Sequence, residues 1–323
     1  MTTIQRRLFL AGSVSMLTAS ARAESFPSRP IQMIVPYSAG GPADTIARII
    51  AKGAAEKIGQ PILIANRGGA GGLVGAEAAA KAAPDGYTVA MLSSGQVGIA
   101  LATRKSVPYD PLADFVPVIE LVEDTVVLCV ANTLPVSTVT ELVAYLKAHP
   151  GKLNYSSAGV GSFTNMAMEL FKSVTGVDIV HVPYKNASEG MMAILSGDSS
   201  LAFSSPNAAK PFLKDGKLKG LGVASARRSP VLPEIPTLGE QGIANLDAPI
   251  WHVLAAPRGT PIAVVEKLHA AYAAALKTVE VHDGLLGIGV EPVGAGPHAA
   301  SALFQKDVAR WHDVVKAAGI ELQ

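Results

Sequence analysis

Short apolar runs alternate with glycine-containing turns and helix-like segments along most of this sequence. The first three runs cover residues 31–35, 61–65 and 87–92. The segments between them place apolar residues at helical spacing, as at Ile46 and Ile50. Strands and helices in alternation predict a parallel sheet with helices on both faces, which is an α/β fold.

The alternation restarts in the second half of the chain. The stretch 116–131 is long and apolar but is broken by Glu120, Glu123 and Asp124, so it predicts either two strands or one strand that crosses between domains. Further strands are predicted at 153–156, 177–182, 201–203 and 218–224, and helices at 139–148, 166–174, 189–195, 263–276 and 299–318. A proline-rich link covers residues 230–236.

The chain has 323 residues, which is long for one domain and comfortable for two. Crossings near residues 123 and 246 predict a discontinuous first domain, 24–122 plus 246–323, and a second domain, 123–245. Ligands of open α/β sheets bind beyond the carboxyl ends of the strands. Two such domains facing each other would close on a ligand in the cleft between them.

Residues 1–23 have the pattern of a signal peptide. Arg6 and Arg7 precede a mildly apolar segment that is too short to span a membrane, and Ala21-Arg22-Ala23 is a small-x-small cleavage site. The arginine pair also fits twin-arginine export, and the Sec route stays open. We therefore expect a periplasmic mature chain that begins at Glu24 and has no transmembrane segment.

Composition excludes several functional classes. Removing the three arginines of the leader from 27 basic residues leaves 24, against 26 acidic residues, so the mature chain has no basic excess for nucleic acid. The one cysteine, Cys129, lies in an apolar run, which predicts a buried structural thiol. Seven histidines show no metal-ligand spacing, and neither a G-x-S-x-G nor an H-E-x-x-H motif is present, so we expect no catalytic residues, no metal and no cofactor.

Two turns between a strand and a helix could hold an anion. The first runs from Pro36 to Asp44, where Gly40 and Gly41 allow close backbone approach and Pro42 suits the first helical position. Free amide groups and the positive end of a helix dipole attract anions there. Asp44 would cap its own helix or contact a ligand amine or hydroxyl.

The second turn covers residues 155–164 and repeats this arrangement in the second domain. It combines glycines with the hydroxyls of Ser157, Ser162 and Thr164. Two such turns facing one cleft could hold the two ends of a small acid, although each alone could be an ordinary βα turn.

A third glycine-rich segment, residues 66–75, suggests a nucleotide site. The dinucleotide fingerprint G-x-G-x-x-G would need a third glycine at Val74, and Gly75 is one position late. A tight turn that packs a helix on the sheet is the better interpretation.

Seven blocks together resemble a known family. They are VPYSAGGPADTIAR (35–48), NRGGAGGLVG (66–75), PDGYT (84–88), NYSSAGVGS (154–162), HVPYK (181–185), RRSPVLPEIPT (227–237) and WHVLAAPRGTP (251–261). Their order and coverage resemble the Bug family, the extracytoplasmic receptors of tripartite tricarboxylate transporters. The resemblance implies a Venus-flytrap fold without catalysis, with a carboxylate held largely by backbone groups and waters at the two turns.

Carried onto this chain, the resemblance places ligand-contacting residues on the two turns and the neighbouring strand ends. These residues are Tyr37, Ala39, Gly40, Gly41, Asp44, Ser157, Gly161, Ser162, Tyr184, Phe203 and Ser204. We add Ser38, Ser94 and Thr164 as further candidate ligand contacts. Two departures from the family pattern, Asn165 and Asn186, stand where histidine and glycine are common and make the ligand harder to predict.

The predicted function is capture of a small carboxylate, or a related organic acid or amide, for delivery to membrane components of a tripartite tricarboxylate-type transporter. We expect a monomer. Two alternatives remain open at this stage: a ligand-binding partner of a signalling system, and an exported hydrolase.

Overall fold

The computed structural model describes residues 26–244, 246 and 248–322. The predicted signal peptide, residues 1–23, lies outside the described residues. Eleven strands are formed by the described chain: β1 Ile31–Val35, β2 Ile62–Asn66, β3 Thr88–Ser93, β4 Phe115–Asp124, β5 Val127–Ala131, β6 Asn154–Ser157, β7 Val180–Pro183, β8 Leu201–Ser204, β9 Leu218–Val223, β10 Ile250–Pro257 and β11 Glu291–Ala295.

Ten α-helices connect or follow these strands in the described residues. They are α1 Pro42–Ile58, α2 Leu73–Ala80, α3 Ala100–Thr103, α4 Val139–Ala148, α5 Phe163–Thr175, α6 Ala187–Ser196, α7 Pro206–Lys214, α8 Ile262–Leu276, α9 Val279–Gly287 and α10 Pro297–Ala318. None of the helices in the described part of the chain is both long and apolar enough to cross a membrane.

The strands form two sheets, and each sheet with its helices is one α/β domain. The first domain has six strands in the order β11-β4-β10-β3-β1-β2, and the second has five in the order β7-β6-β8-β5-β9. The apolar stretch at 116–131 is two strands, β4 in the first sheet and β5 in the second, joined at Thr125 and Val126. One of the two predicted alternatives is thereby confirmed, and the chain crosses between domains at this point.

The parallel pairing predicted for the first three strands is confirmed, but both sheets as a whole are mixed. In the first sheet β1 is parallel to β2 and β3, but β10 runs antiparallel between β3 and β4. In the second sheet β5 is antiparallel to both β8 and β9. These antiparallel strands flank the two places where the chain passes from one sheet to the other, since a strand that enters or returns has no crossover helix to keep it parallel.

Apolar side chains from both sheet faces fill the cores. Ile31 and Met33 of β1 pack with Ile46 and Ile50 of α1, which are the residues whose helical spacing predicted this packing. Cys129 is fully buried in the second domain, as predicted, where it behaves as a small apolar side chain.

The C-terminal helix α10 connects the two domains. Phe304 lies in the core of the first domain, whereas Trp311 packs among the buried side chains of the second. Both rings are almost completely buried. Helix α10 therefore packs against both domains.

Candidate functional site

The first turn follows β1 and leads into α1, which begins at Pro42 as the sequence predicts. Gly40 has φ +79°, a left-handed conformation that strongly favours glycine, whereas Gly41 has φ −82° and ψ 173°, which most residues adopt. Gly40 is therefore the position at which this turn depends on glycine.

The buried Asp44 carboxylate stabilises the first turn through hydrogen bonds. One carboxylate oxygen accepts hydrogen bonds from the Gly40 backbone N–H (2.8 Å) and Arg48 Nε (2.9 Å), and the other accepts from Asn66 Nδ2 (2.9 Å). The hydrogen bond from Arg48, with that from Gly40, lowers the pKa of this carboxyl to about 2. Both oxygens are committed to the protein, and the backbone N–H bound by Asp44 belongs to Gly40, the residue before the N-cap, so the carboxylate caps the turn that leads into α1.

Gln96, which the sequence analysis did not single out, holds three parts of the site together. Its Nε2 donates to the Gly71 carbonyl (3.0 Å) and to the Tyr37 hydroxyl (3.1 Å), and its Oε1 accepts from the Ser93 backbone N–H (3.1 Å). The Tyr37 hydroxyl also lies 2.7 Å from Ser93 Oγ. Gln96 is completely buried in a π-helical turn, Gly95–Ile99, a geometry common at functional sites.

The glycine-rich segment 66–75 forms a wall beside this turn. Ala70–Gly72 is a 3₁₀ turn, and a Cβ on Gly75 would lie only 2.6 Å from the Arg67 carbonyl oxygen. The close packing that the sequence predicts for this segment is confirmed at Gly75. Its contribution to the cavity wall, through Ala70 and Gly71, was not predicted.

The second turn follows β6 and leads into α5. Ser162 is the N-cap of this helix and its hydroxyl accepts from the Asn165 backbone N–H (3.3 Å). Gly161, at φ +74°, donates its own N–H to Asn165 Oδ1 (2.9 Å). The Thr164 hydroxyl accepts from the Ala158 N–H (3.1 Å), so this side chain also closes the turn.

Asn165 lies beneath the second turn and does not line the cavity. Its Nδ2 donates to the Tyr155 hydroxyl (2.8 Å), which donates to Glu169 Oε1 (2.5 Å), and Glu169 pairs with Lys172 (2.9 Å). The Asn165 amide thus accepts from Gly161 and donates to Tyr155, so it joins the second turn to the buried Tyr155 and Glu169.

A serine and a histidine lie close together in the second domain. Ser157 Oγ is 2.6 Å from His181 Nε2, and the His181 ring stacks on Tyr155 with 4.7 Å between ring centres. Burial lowers the pKa of His181. Ser157 is 2% exposed and does not line the cavity, so the pair is placed to support the strand end.

His252 is buried in β10, and burial lowers its pKa to about 4.

Ser94 is part of a buried polar cluster that ends on α10. Its hydroxyl donates to Asp307 Oδ2 (2.8 Å) and accepts from Trp311 Nε1 (2.6 Å). Trp251 Nε1 also donates to Asp307 (3.3 Å). Burial raises the pKa of Asp307 to about 6. Because a hydroxyl has one proton and two lone pairs, Ser94 can offer a ligand only its remaining acceptor site.

A cavity of about 270 Å³ lies between the two turns. Residues of both domains line it: Tyr37, Ala70, Gly71, Leu73, Ser93, Ser94, Gly95, Ile99, Ala100, Thr103, Arg104, Val160, Gly161, Ser162, Phe163 and Ile250. Four of the predicted ligand-contacting residues are among them: Tyr37, Ser94, Gly161 and Ser162.

The other predicted residues lie around the cavity and not on its wall. Ser38, Ala39 and Gly40 are exposed on the first turn, with Gly41 at its end. Tyr184 is half-buried next to the second turn, where its carbonyl oxygen is 3.7 Å from where a Cβ of Gly159 would lie. Phe203 and Ser204 are buried in β8 beside β5, and Phe203 packs edge-on against Phe171.

A second, smaller cavity of about 70 Å³ lies where the chain passes between the sheets. Arg227, which follows β9, pairs there with Glu291 of β11 (3.1 Å) and Glu123 of β4 (3.6 Å). These ion pairs link the chain of the second domain to the sheet of the first.

Glu120 lies nearby on β4. Burial, together with the charge of Glu123, raises the pKa of Glu120 to about 7. Across the described residues, no group of three or more metal-ligating side chains is arranged for a metal ion.

A family match and several related sequences show what this chain is similar to. Residues 46–320 match the family described as "Tripartite tricarboxylate transporter family receptor". The chain is 35% identical over 317 residues to a Pseudomonas sp. (strain P51) protein called "UPF0065 protein in tcbD-tcbE intergenic region", covering 97% of this chain and 94% of the relative. It is 33% identical to Protein BugT of Bordetella pertussis, covering 95% and 94%.

Solved structures of similar proteins share the fold. Rpa4515 of R. palustris with adipate has a TM-score of 0.78 at 35% identity, and MatC of Rhodopseudomonas palustris with bound malate has 0.74 at 36%. They cover 92% and 90% of this chain, and all of each solved chain is matched. The periplasmic binding protein BugD has 0.75 at 31%, with 92% of this chain and all of BugD covered. From its match over most of the sequence and from these relatives, the chain belongs to the Bug/TctC family of tripartite tricarboxylate transporter receptors.

Proposed function

We propose that this protein is a non-enzymatic periplasmic receptor that captures a small carboxylate in the cleft between its two domains. The observation that carries the proposal is the cavity of about 270 Å³, walled on one side by Tyr37 and Ser94 and on the other by Gly161 and Ser162. A volume of this order suits a small organic acid and is at the lower limit for larger ligands.

Hydrogen-bond donors on the second domain favour an anionic ligand. Helix α5 begins at the cavity wall, with Phe163 as its first residue and Ser162 as its N-cap. The first amide N–H groups of a helix have no partner within it, and the helix dipole places positive charge there. A carboxylate at this position would therefore be stabilised without a positively charged side chain.

Two similar proteins support the ligand class. Rpa4515 was solved with adipate and MatC with malate, each at about the same identity to this chain. Both ligands are small organic acids. We infer that the ligand of this chain is of the same chemical kind, held between the two turns.

Export and delivery complete the proposal. Residues 1–23 act as the export signal, and the mature chain hands its ligand to the membrane components of a tripartite tricarboxylate-type transporter. We assign residues 24–122 plus 246–323 to the first domain and 123–245 to the second, because the strands of each range share one sheet, apart from the last two residues of β4. The two domains close on the ligand about the crossings.

Native mass spectrometry of the protein purified from the periplasm tests the capture function. The proposal predicts a mass increment that matches one small organic acid, and loss of that increment after unfolding and refolding. It also predicts a mature mass that begins at or near Glu24. A protein that carries no ligand and responds to no organic acid in calorimetry would contradict the proposal.

A further inference from the structure

Among the described residues that line the cleft cavity, Arg104 alone carries a formal charge. It directly follows α3, and no ion pair in the described part of the chain engages its guanidinium. We propose that Arg104 is a charge-selecting residue of the cleft, which binds a second anionic group of the ligand. This inference rests on the proposed receptor function and adds a specificity determinant to it.

The guanidinium is held in place by the glycine-rich turn. Arg104 Nη2 donates to the Ala70 carbonyl oxygen at 3.2 Å. Ala70 has φ +49°, and it is the one non-glycine residue with positive φ in the described chain. A non-glycine residue in this region carries a conformational cost that the surrounding structure must offset. The hydrogen bond to Arg104 is one contact that favours this backbone conformation.

The same turn is fixed from its other side. Gln96 Nε2 donates to the Gly71 carbonyl oxygen at 3.0 Å, so two adjacent carbonyls of the turn accept hydrogen bonds from side chains that approach the cavity. A phosphate-binding glycine loop instead points its N–H groups at the ligand. In this chain the segment 66–75 presents carbonyls to Arg104 and Gln96, and so it supports a cation beside the cavity.

The position of Arg104 allows it to reach a ligand held by the opposite domain. A Cβ built on Gly161 would lie 3.6 Å from Oγ1 of Thr103, the residue next to Arg104. The second turn and the Arg104 segment therefore face each other across the cleft. A ligand with one carboxylate at the α5 N-terminus can place a second one near the guanidinium.

The apolar surroundings of Arg104 favour its attraction to an anionic group of a ligand. Apolar side chains line much of the same cavity, including Leu73, Ile99 and Phe163. Arg104 is half-buried, so its interaction with an anion would gain strength as the domains close and exclude water. Only one of the five guanidinium N–H groups has a hydrogen bond to the described protein, so the others are available for a planar oxyanion.

The test compares the affinity of each diacid with that of its monomethyl ester, which lacks one negative charge. The probes are succinate, glutarate and adipate and the monomethyl ester of each, with affinities measured by calorimetry on the full mature chain. Any carboxylate that native mass spectrometry identifies joins the series with its ester. For at least one length, the diacid should bind the wild-type protein about ten- to a hundredfold more tightly than its ester, the range for a hydrogen bond to a charged group.

Three variants assign that preference to Arg104. In Arg104→Gln the ratio of diacid to ester affinity should fall to near one, and in Arg104→Lys part of it should remain. The control is Lys105→Gln, which removes the neighbouring exposed charge outside the cavity and should keep the wild-type ratio. Circular dichroism and thermal melting of each variant verify that the fold is unchanged.

A wild-type ratio near one, or an unchanged ratio in Arg104→Gln, would overturn the inference. So would a native ligand that has only one acidic group. Each of these results leaves the receptor function standing, because a ligand is still bound. Failure of the proposed function would look different, since neither native ligand nor probe would bind at all.

Discussion

Replacing Gln96 by leucine tests whether one buried amide organises the first domain's side of the cleft. The side chain is completely buried and joins the glycine-rich turn, the first turn and the end of β3 through Gly71, Tyr37 and Ser93. Leucine has a similar size but no polar atoms. The substitution therefore removes the hydrogen bonds and leaves the packing volume almost unchanged.

The expected loss follows from the group that is left without a partner. The buried Ser93 N–H loses its side-chain partner, and an unsatisfied buried polar group costs about 1–3 kcal/mol. Gly71 is exposed, so water can replace the hydrogen bond that its carbonyl loses. The Tyr37 hydroxyl keeps Ser93 Oγ at 2.7 Å and contributes less. The free energy of unfolding should fall by about 1–3 kcal/mol, the cost of the one buried group that is left without its side-chain partner.

Urea denaturation, followed by circular dichroism, measures this loss. The matched control is Gln32→Leu, the same substitution at the one half-buried position of β1, where the glutamine side chain makes no hydrogen bond to the described residues. The control should change the free energy of unfolding by less than about 1 kcal/mol, as for most substitutions of a partly exposed residue. If Gln96→Leu lost no more than the control, the reasoning about this amide would be refuted.

Three further predictions concern the turns and the buried acid. Gly40→Val should destabilise the fold by about 1–2 kcal/mol because of its left-handed φ, whereas Gly41→Val should be near neutral in thermal melts. Asp44→Asn should cost about 1 kcal/mol of stability, as for a lost cap, with little change in ligand affinity by calorimetry. Burial raises the Asp307 pKa from 3.8 to about 6, so its contribution to stability is complete below pH 3.8 and is lost as the pH rises through 6. Denaturation as a function of pH should show Asp307→Asn removing about 3 kcal/mol of that fall, at 1.36 kcal/mol per pKa unit, and an unchanged profile would contradict the assignment.

Local patterns in the sequence predict much of the fold. Pro42 does begin α1, and the acidic interruption near Glu123 does separate two strands that belong to different sheets. Such features depend on backbone preferences and side-chain periodicity, which are local. The seven blocks that resemble the family were also sufficient for its assignment.

Elements that depend on tertiary pairing were harder to predict. Strand β10 lies antiparallel between β3 and β4, far from both in sequence, and its pairing follows from the return of the chain out of the second domain. Helix α9 and strand β11 near the C-terminus were missed, because short elements with partly exposed faces have weak periodicity. The orientation of neighbouring strands cannot be read from the hydrophobic pattern of either one.

Only some of the residues that line the cavity could be predicted from the sequence. The sequence predicts Tyr37 and Ser162, which lie in turns with obvious glycine and hydroxyl patterns. It does not predict Gln96 or Arg104, whose importance arises from their position against a turn about 25–35 residues earlier in the chain. The one available indication was the location of Gln96 just after β3, since ligands of α/β sheets bind at strand ends.

A crystal structure of the protein purified from the periplasm with its native ligand would test the central claim most directly. The account predicts electron density for one small organic acid between Tyr37 and Ser162, with one carboxylate at the N-terminus of α5 and a second acidic group near Arg104. Density at another position, with the cavity between the two turns filled by water alone, would contradict it.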